Sequence, residues 1–188
     1  MSVVLVGGSV RSGKSAFALR FARGRGPRRL FIATGEPGDA DMRARISQHR
    51  EERGSDFETI EEPLDLAGAF GRAGAADAVV VDCLTLWISN LLLRDHTESA
   101  ILVRVDEFLT VAVEHIGPVV VVTNEVGLGV IPETPIGRAF RDITGRAHQR
   151  AAKRAAEIYM AVLGVILRLV PGPIEVVDRP APDIGGKA

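Results

Sequence analysis

One cysteine, Cys83, stands in 188 residues, so no internal disulfide can staple the fold, and the composition suits a reducing compartment. No apolar run approaches the roughly 20 residues that a membrane-spanning helix requires. The short N-terminal apolar stretch is broken by Gly7 and Gly8 before it can act as a secretory signal. Neither sign of charge is in excess: 23 lysines and arginines face 24 aspartates and glutamates, which argues against a global field favouring nucleic acid or an anionic membrane. Internal repeats and low-complexity tracts are missing too. The expectation is a soluble cytoplasmic protein with a small-molecule partner, no nucleic acid and no membrane span.

What is present is apolar material for one core. Hydrophobic residues make up 46% of the chain, enough at this length for a single domain over residues 1–170. Short valine- and isoleucine-rich runs at 3–6, 30–33, 78–82 and 119–123 alternate with amphipathic stretches at 14–23, 41–53, 64–72, 84–94 and 98–115. That alternation predicts an α/β fold, a mostly parallel sheet with helices on both faces. A further helix is expected over 138–157, then a strand pair over 158–169 turning at Gly164. Prolines, glycines and charges after residue 170 predict a loose tail over 171–188.

Gly8-Ser9-Val10-Arg11-Ser12-Gly13-Lys14-Ser15 follows the first apolar run and opens the first helix. This is a phosphate-binding P-loop: glycines let the backbone curl so that N–H groups and the helix N-terminus face phosphate oxygens. Lys14 then reaches the β and γ phosphates, and Ser15 offers its hydroxyl to Mg2+.

Ligands of open parallel sheets gather beyond the carboxyl ends of the strands. The residues there are polar: Thr34-Gly35-Glu36, Asp82, and Thr123-Asn124-Glu125 before the glycines at 127 and 129. Asp82 suits a Mg2+-positioning acid, and it suits the N-cap of the following helix equally. Asn124 and Glu125 are either a polar strand exit or the groups that hold and deprotonate a phosphoryl acceptor. In the stretch 43–53, Arg45, His49 and Arg53 share one helical face, with Arg50 beside them. Guanidinium groups favour the neutral, nucleophilic form of a histidine. The residues alone nevertheless read first as a solvated, arginine-rich helix.

The P-loop, Ile32-Ala33-Thr34, Arg45-Ile46-x-x-His49-Arg50, Thr59-Ile60-Glu61-Glu62-Pro63, Asp82-Cys83-Leu84-Thr85 with Asn90-Leu91-Leu92, Val122-Thr123-Asn124-Glu125-Val126-Gly127 and Arg138-Ala139-Phe140-Arg141-Asp142-Ile143-x-Gly145-Arg146 with Gln149 occur in this order. Together they resemble the bifunctional adenosylcobinamide kinases / adenosylcobinamide-phosphate guanylyltransferases of cobalamin biosynthesis, over most of residues 3–169. The resemblance implies a P-loop kinase-like fold and two reactions. The first phosphorylates adenosylcobinamide with a nucleoside triphosphate, ATP or GTP. The second transfers GMP from GTP to adenosylcobinamide phosphate through a guanylylated histidine, which matches His49. Nucleotide contacts carried over by resemblance fall on Gly8, Ser9, Val10, Arg11, Ser12, Gly13, Lys14 and Ser15, on Ala33, Thr34 and Gly35, on Arg50, Glu51, Glu52 and Arg53, on Glu61 and on Asp82. It also implies a homotrimer.

Three positions depart from the family's usual pattern: Ser9 where a second glycine is common, Leu19 where a glutamate is common, and His148 where asparagine is frequent. Two other readings stay open on the residues themselves, a P-loop small-molecule kinase without nucleotidyl transfer and a non-catalytic nucleotide switch. The Asn-Lys-x-Asp element of guanine-specific GTPases is missing, so the preference for GTP rests on the resemblance.

Overall fold

The computed structural model describes residues 2–178. Fourteen elements follow one another there: β1 (Val3–Gly8), α1 (Lys14–Arg23), β2 (Arg29–Ala33), α2 (Ala40–Arg53), β3 (Glu58–Glu61), α3 (Leu66–Ala73), β4 (Ala78–Asp82), α4 (Leu84–Leu92), α5 (Glu98–Glu114), β5 (Val119–Val122), α6 (Pro135–Arg154), β6 (Ala155–Val162), β7 (Val165–Val170) and β8 (Glu175–Asp178). They build one eight-stranded sheet in the order β3-β2-β4-β5-β1-β6-β7-β8. The first six in that row run parallel, and β7 and β8 are antiparallel additions.

The all-apolar central strands are explained by two covered faces. Val3, Leu5, Ile32, Val79, Val81, Val119 and Val121 face one buried layer, filled by Leu66, Trp87, Ile88, Phe108 and Ile143 from α3, α4, α5 and α6. Val4, Val6, Phe31, Val80, Val120 and Val122 face the other, packed by Ala18, Leu19 and Ala22 of α1 with Tyr159 of β6. Leu19 is therefore a packing residue. Side chains fix several helix starts: Asp39 accepts from Met42 N–H (2.7 Å), and Thr97 and Thr134 cap α5 and α6.

Three expectations are corrected. Strand β3 was not expected; Glu58-Thr59-Ile60-Glu61 has too little apolar character to stand out, and its ladder with Leu30–Ala33 makes it an edge strand. The helix expected to 157 ends at Arg154, because Ala155–Val162 pairs with β1 on one side and β7 on the other. The segment expected to be a loose tail from 171 instead carries β8, whose Val176 pairs with Leu167 and whose Glu175 meets Arg168 at 2.5 Å. Residues 179–188 of that expected tail lie outside the described residues.

Candidate active site

The strand order sets the site. Strand β1 ends in the P-loop, β5 lies beside it and β4 next, so the P-loop, residues 123–125 and Asp82 emerge in a row at one end of the sheet. A cavity of about 960 Å³ opens there, walled by the P-loop on one side and α2 on the other.

The P-loop backbone is shaped for an anion. Gly13 adopts φ 90°, and no side chain caps α1, which leaves the first N–H groups of that helix for a ligand. Gly8 has φ 155°, and a Cβ there would lie 2.7 Å from the Ala161 carbonyl oxygen, so the close approach of β6 requires glycine. Lys14 is buried and its Nζ donates to the Ser9 carbonyl at 2.9 Å. Burial lowers its pKa below the ordinary lysine value, and the fields of Asp82 and Cys83 oppose that. Ser12 is buried with its hydroxyl unpartnered.

Asp82 is desolvated, which raises its pKa; a hydrogen bond from Ser15 and the positive fields of His49, Lys14 and Arg53 pull it back. A buried carboxylate that accepts from the Ser15 hydroxyl at the mouth of a phosphate loop fits a hard divalent cation with oxygen ligands. Next to it, burial pushes the Cys83 thiol up to about 11, which keeps it unreactive at neutral pH.

Helix α2 is almost wholly exposed; Arg53 is its one buried residue, stacked over the Phe31 ring at 4.3 Å. Arg43, Arg45, His49, Arg50, Glu52 and Arg53 all line the cavity, so the expected basic face is the one that meets the P-loop. Arg50 pairs with Glu61 across the mouth. His49 keeps Nδ1 3.9 Å from Glu52 Oε2, an arrangement that leaves Nε2 free.

The site residues expected from sequence divide cleanly. Val10, Arg11, Ser12, Gly13, Lys14, Ser15, Ala33, Gly35, His49, Arg50, Glu52, Arg53, Glu61, Asp82 and Asn124 come together around the cavity. Gly8, Ser9, Thr34, Glu51 and Glu125 are not among its lining residues. Thr34 is fully buried, its hydroxyl donating to the Cys83 carbonyl (2.9 Å) and accepting from the Cys83 N–H (2.7 Å). It therefore locks β2 to the end of β4 rather than offering its side chain to a nucleotide. Glu51 is exposed on α2. Glu125 donates its N–H to the Gly8 carbonyl (3.1 Å), and its Oε1 accepts from the Gly127 N–H (2.7 Å).

Two supporting residues escaped sequence reasoning. Thr85 accepts from both the backbone N–H (3.0 Å) and the side-chain amide (3.1 Å) of Asn124, fixing its orientation. Asn90 donates to the carbonyls of Thr34 (2.8 Å) and Pro63 (3.2 Å). Both lie in the stretches that carry the family resemblance, but only the fold reveals what they hold.

The model of the cobinamide kinase / cobinamide phosphate guanyltransferase family matches residues 4–169. The chain belongs to that family. It is 39% identical over 175 residues to the bifunctional adenosylcobalamin biosynthesis protein CobP of Pseudomonas aeruginosa, covering 90% of this chain and 98% of that protein. With the bifunctional adenosylcobalamin biosynthesis protein CobU of Salmonella typhimurium it shares 34% identity over 181 residues, 89% of this chain and 99% of the relative. Two solved structures share its fold. One is the RadB recombinase (TM-score 0.52, 18% identity, 89% of this chain and 79% of that one). The other is the flagellar accessory protein FlaH from Methanocaldococcus jannaschii (TM-score 0.51, 11% identity, 95% of this chain and 78% of that one). These more distant likenesses show the fold alone, the α/β arrangement of a largely parallel sheet between helices.

Proposed function

We propose that this member of the family is a bifunctional enzyme of adenosylcobalamin biosynthesis, which phosphorylates adenosylcobinamide and then transfers GMP from GTP to adenosylcobinamide phosphate. The observation that carries the reading is a P-loop and a histidine lining one cavity from different elements, with Asp82 in the same lining. A P-loop alone serves γ-phosphoryl transfer; a nucleophile on the opposite wall suits attack at the α phosphorus.

In the kinase step the acceptor oxygen bonds to the γ phosphorus, the bridging β–γ P–O bond breaks and its electron pair leaves with the nucleoside diphosphate. Lys14 and the N-terminus of α1 stabilise the phosphate charge. Ser15 and Asp82 would hold Mg2+, which when bound neutralises charge on the phosphates. In the guanylyl step Nε2 of His49 attacks the α phosphorus of GTP, an N–P bond forms, and the α–β bridging P–O bond breaks to release pyrophosphate. Glu52 beside Nδ1 favours the tautomer that leaves Nε2 unprotonated. Arg45, Arg50 and Arg53 lie where the departing pyrophosphate needs cations. A phosphate oxygen of the acceptor then displaces His49, giving adenosylcobinamide-GDP. Cytoplasmic location and assembly as a homotrimer belong to the same reading.

The test is covalent labelling. Wild type incubated with Mg2+ and GTP labelled on the α phosphate should retain acid-labile, alkali-stable label after denaturation, and γ label should leave none. His49→Ala should lose the label and the guanylyl transfer while remaining folded and retaining kinase activity. Label persisting in the variant would exclude His49 as the nucleophile.

A further inference from the structure

His148, one of the departures from the family pattern, stands on α6 against the exit of β5. Its Nε2 is 2.7 Å from the hydroxyl of buried Thr123, and its Nδ1 is 3.7 Å from Oε2 of Glu125. The imidazole is largely covered, its side chain 17% exposed. In the tautomer with the proton on Nδ1, Nε2 accepts from the Thr123 hydroxyl and an N–H turns toward the carboxylate. The other tautomer would aim a lone pair at it. The separation from Glu125 is too long for a hydrogen bond. In the free protein the other carboxylate oxygen accepts from the Gly127 N–H at 2.7 Å, and Glu125 follows the cavity-lining Asn124 without lining the cavity itself. A role at the acceptor therefore requires the contact to tighten and the carboxylate to turn inward when the acceptor binds.

Glu125 is the charged side chain whose field acts on the ring; burial lowers the ring's pKa below the ordinary histidine value and Glu125 opposes this. Among the described residues, Arg104, Glu107 and Glu114 of α5 and the other charged side chains of α6 exert no comparable field on the ring. Helix α4 and strand β1 carry no ionisable side chain beyond the P-loop. On α5, Glu98 and Asp106 are engaged by Arg146 and Arg150, and on β6 Glu157 accepts from the Tyr159 hydroxyl.

We propose that His148 is a positioning residue for the kinase step: its neutral ring, pinned by Thr123, aims the Glu125 carboxylate at the acceptor hydroxyl, and its protonation withdraws that carboxylate into an ion pair. The inference rests on the two-step reading above. Glu125 takes the hydroxyl proton as the acceptor oxygen bonds to the γ phosphorus and the β–γ bridging bond breaks, while His148 gains and loses no proton in the turnover. With a ring pKa below the ordinary histidine value, the neutral and active pair is present above that pKa and is lost as pH falls through it. Guanylyl transfer, whose acceptor phosphate needs no hydroxyl proton removed and whose acid limb is set by its own nucleophile, should not respond to substitution of His148.

The deciding experiment measures the kinase step across the acid and neutral range in wild type, His148→Asn and His148→Ala. Guanylyl transfer to separately prepared phosphorylated acceptor is followed in parallel, and an NMR titration of the His148 ring is made in wild type and Glu125→Gln. Expected are an acid-side fall of wild-type kinase kcat that tracks the ring, and a downward shift of the ring's titration in Glu125→Gln. His148→Asn, which keeps an N–H donor, should lose that fall and stay within about threefold of wild type at mildly alkaline pH. His148→Ala should lose kinase kcat roughly tenfold with KM for the triphosphate little changed. An unchanged acid-side fall in His148→Asn, or a ring titration indifferent to Glu125→Gln, would overturn the inference. Guanylyl transfer without a kinase step in wild type would also overturn it. The loss of both activities in wild type would overturn the two-step reading, and this inference with it.

Discussion

Thr34 shows how a residue can serve a site without touching its ligand. Its hydroxyl satisfies both the N–H and the carbonyl of Cys83, directly after Asp82. Thr34→Val keeps the shape and leaves the buried Cys83 N–H without a partner, while the Cys83 carbonyl keeps the Trp87 N–H at 3.2 Å; the cost is about 1–3 kcal/mol. Thermal denaturation should show a fall of roughly 2–12 °C in Tm at this chain length. Affinity for the triphosphate should weaken as well, because Asp82 is anchored through the same bonds; unchanged Tm and affinity would show the lock to be dispensable. Most residues named from the sequence thus line one cavity, while the Thr34 side chain turns away from it. The P-loop, His49 and Asp82 were legible by residue type and spacing. Thr34, Thr85 and His148 act through contacts spanning 25 to 49 positions of chain, and no spacing pattern displays those.

Helix α2 and the edge strands mark where elements were legible and where they were not. The central strands announce themselves because both faces are buried, so each is a continuous apolar run. Strand β3, polar at all but Ile60 and at the sheet edge, and β8, which follows two prolines, lack that signal and owe their pairing to neighbours. Helix α2 was legible as a helix and is solvated as its charge suggests, but the same basic face is also a cavity wall, which charge alone does not reveal. It buries only Arg53, whereas α5 buries six residues including Ile101, Phe108 and Leu109. Few buried apolar contacts mean a low cost of local opening. Hydrogen exchange should accordingly be faster along 40–53 than along α5 in the free protein. Mg2+ and GTP should slow it selectively, by tying the arginines of α2 to phosphates held by the P-loop. Equal protection of both helices without nucleotide would contradict this account of α2 as the adjustable wall.

At the scale of the whole molecule, the cavity joins parts of the fold that otherwise share little. One wall is α1 and the central strands, with Val4, Val6, Val80 and Val120 fully buried; the other is a loosely packed helix whose acidic and basic residues mostly face water. A triphosphate bridging them adds contacts that exist only in the folded state, so its binding must appear as global stability. At a hundredfold excess over Kd the gain is about 2.7 kcal/mol, or roughly 5–11 °C in Tm for a chain of this size. Lys14 is the group most exposed to the trade: burial disfavours its charge, and Asp82 and the Ser9 carbonyl compensate it in the free protein. Lys14→Ala should therefore change the Tm of the free protein little, because removing a desolvated cation offsets the lost hydrogen bond. It should abolish most of the Tm shift produced by Mg2+ and GTP, together with both transfer reactions. A variant that kept the full ligand-induced shift would mean that the triphosphate is gripped mainly by α2, and that the P-loop is not the centre around which the molecule is organised.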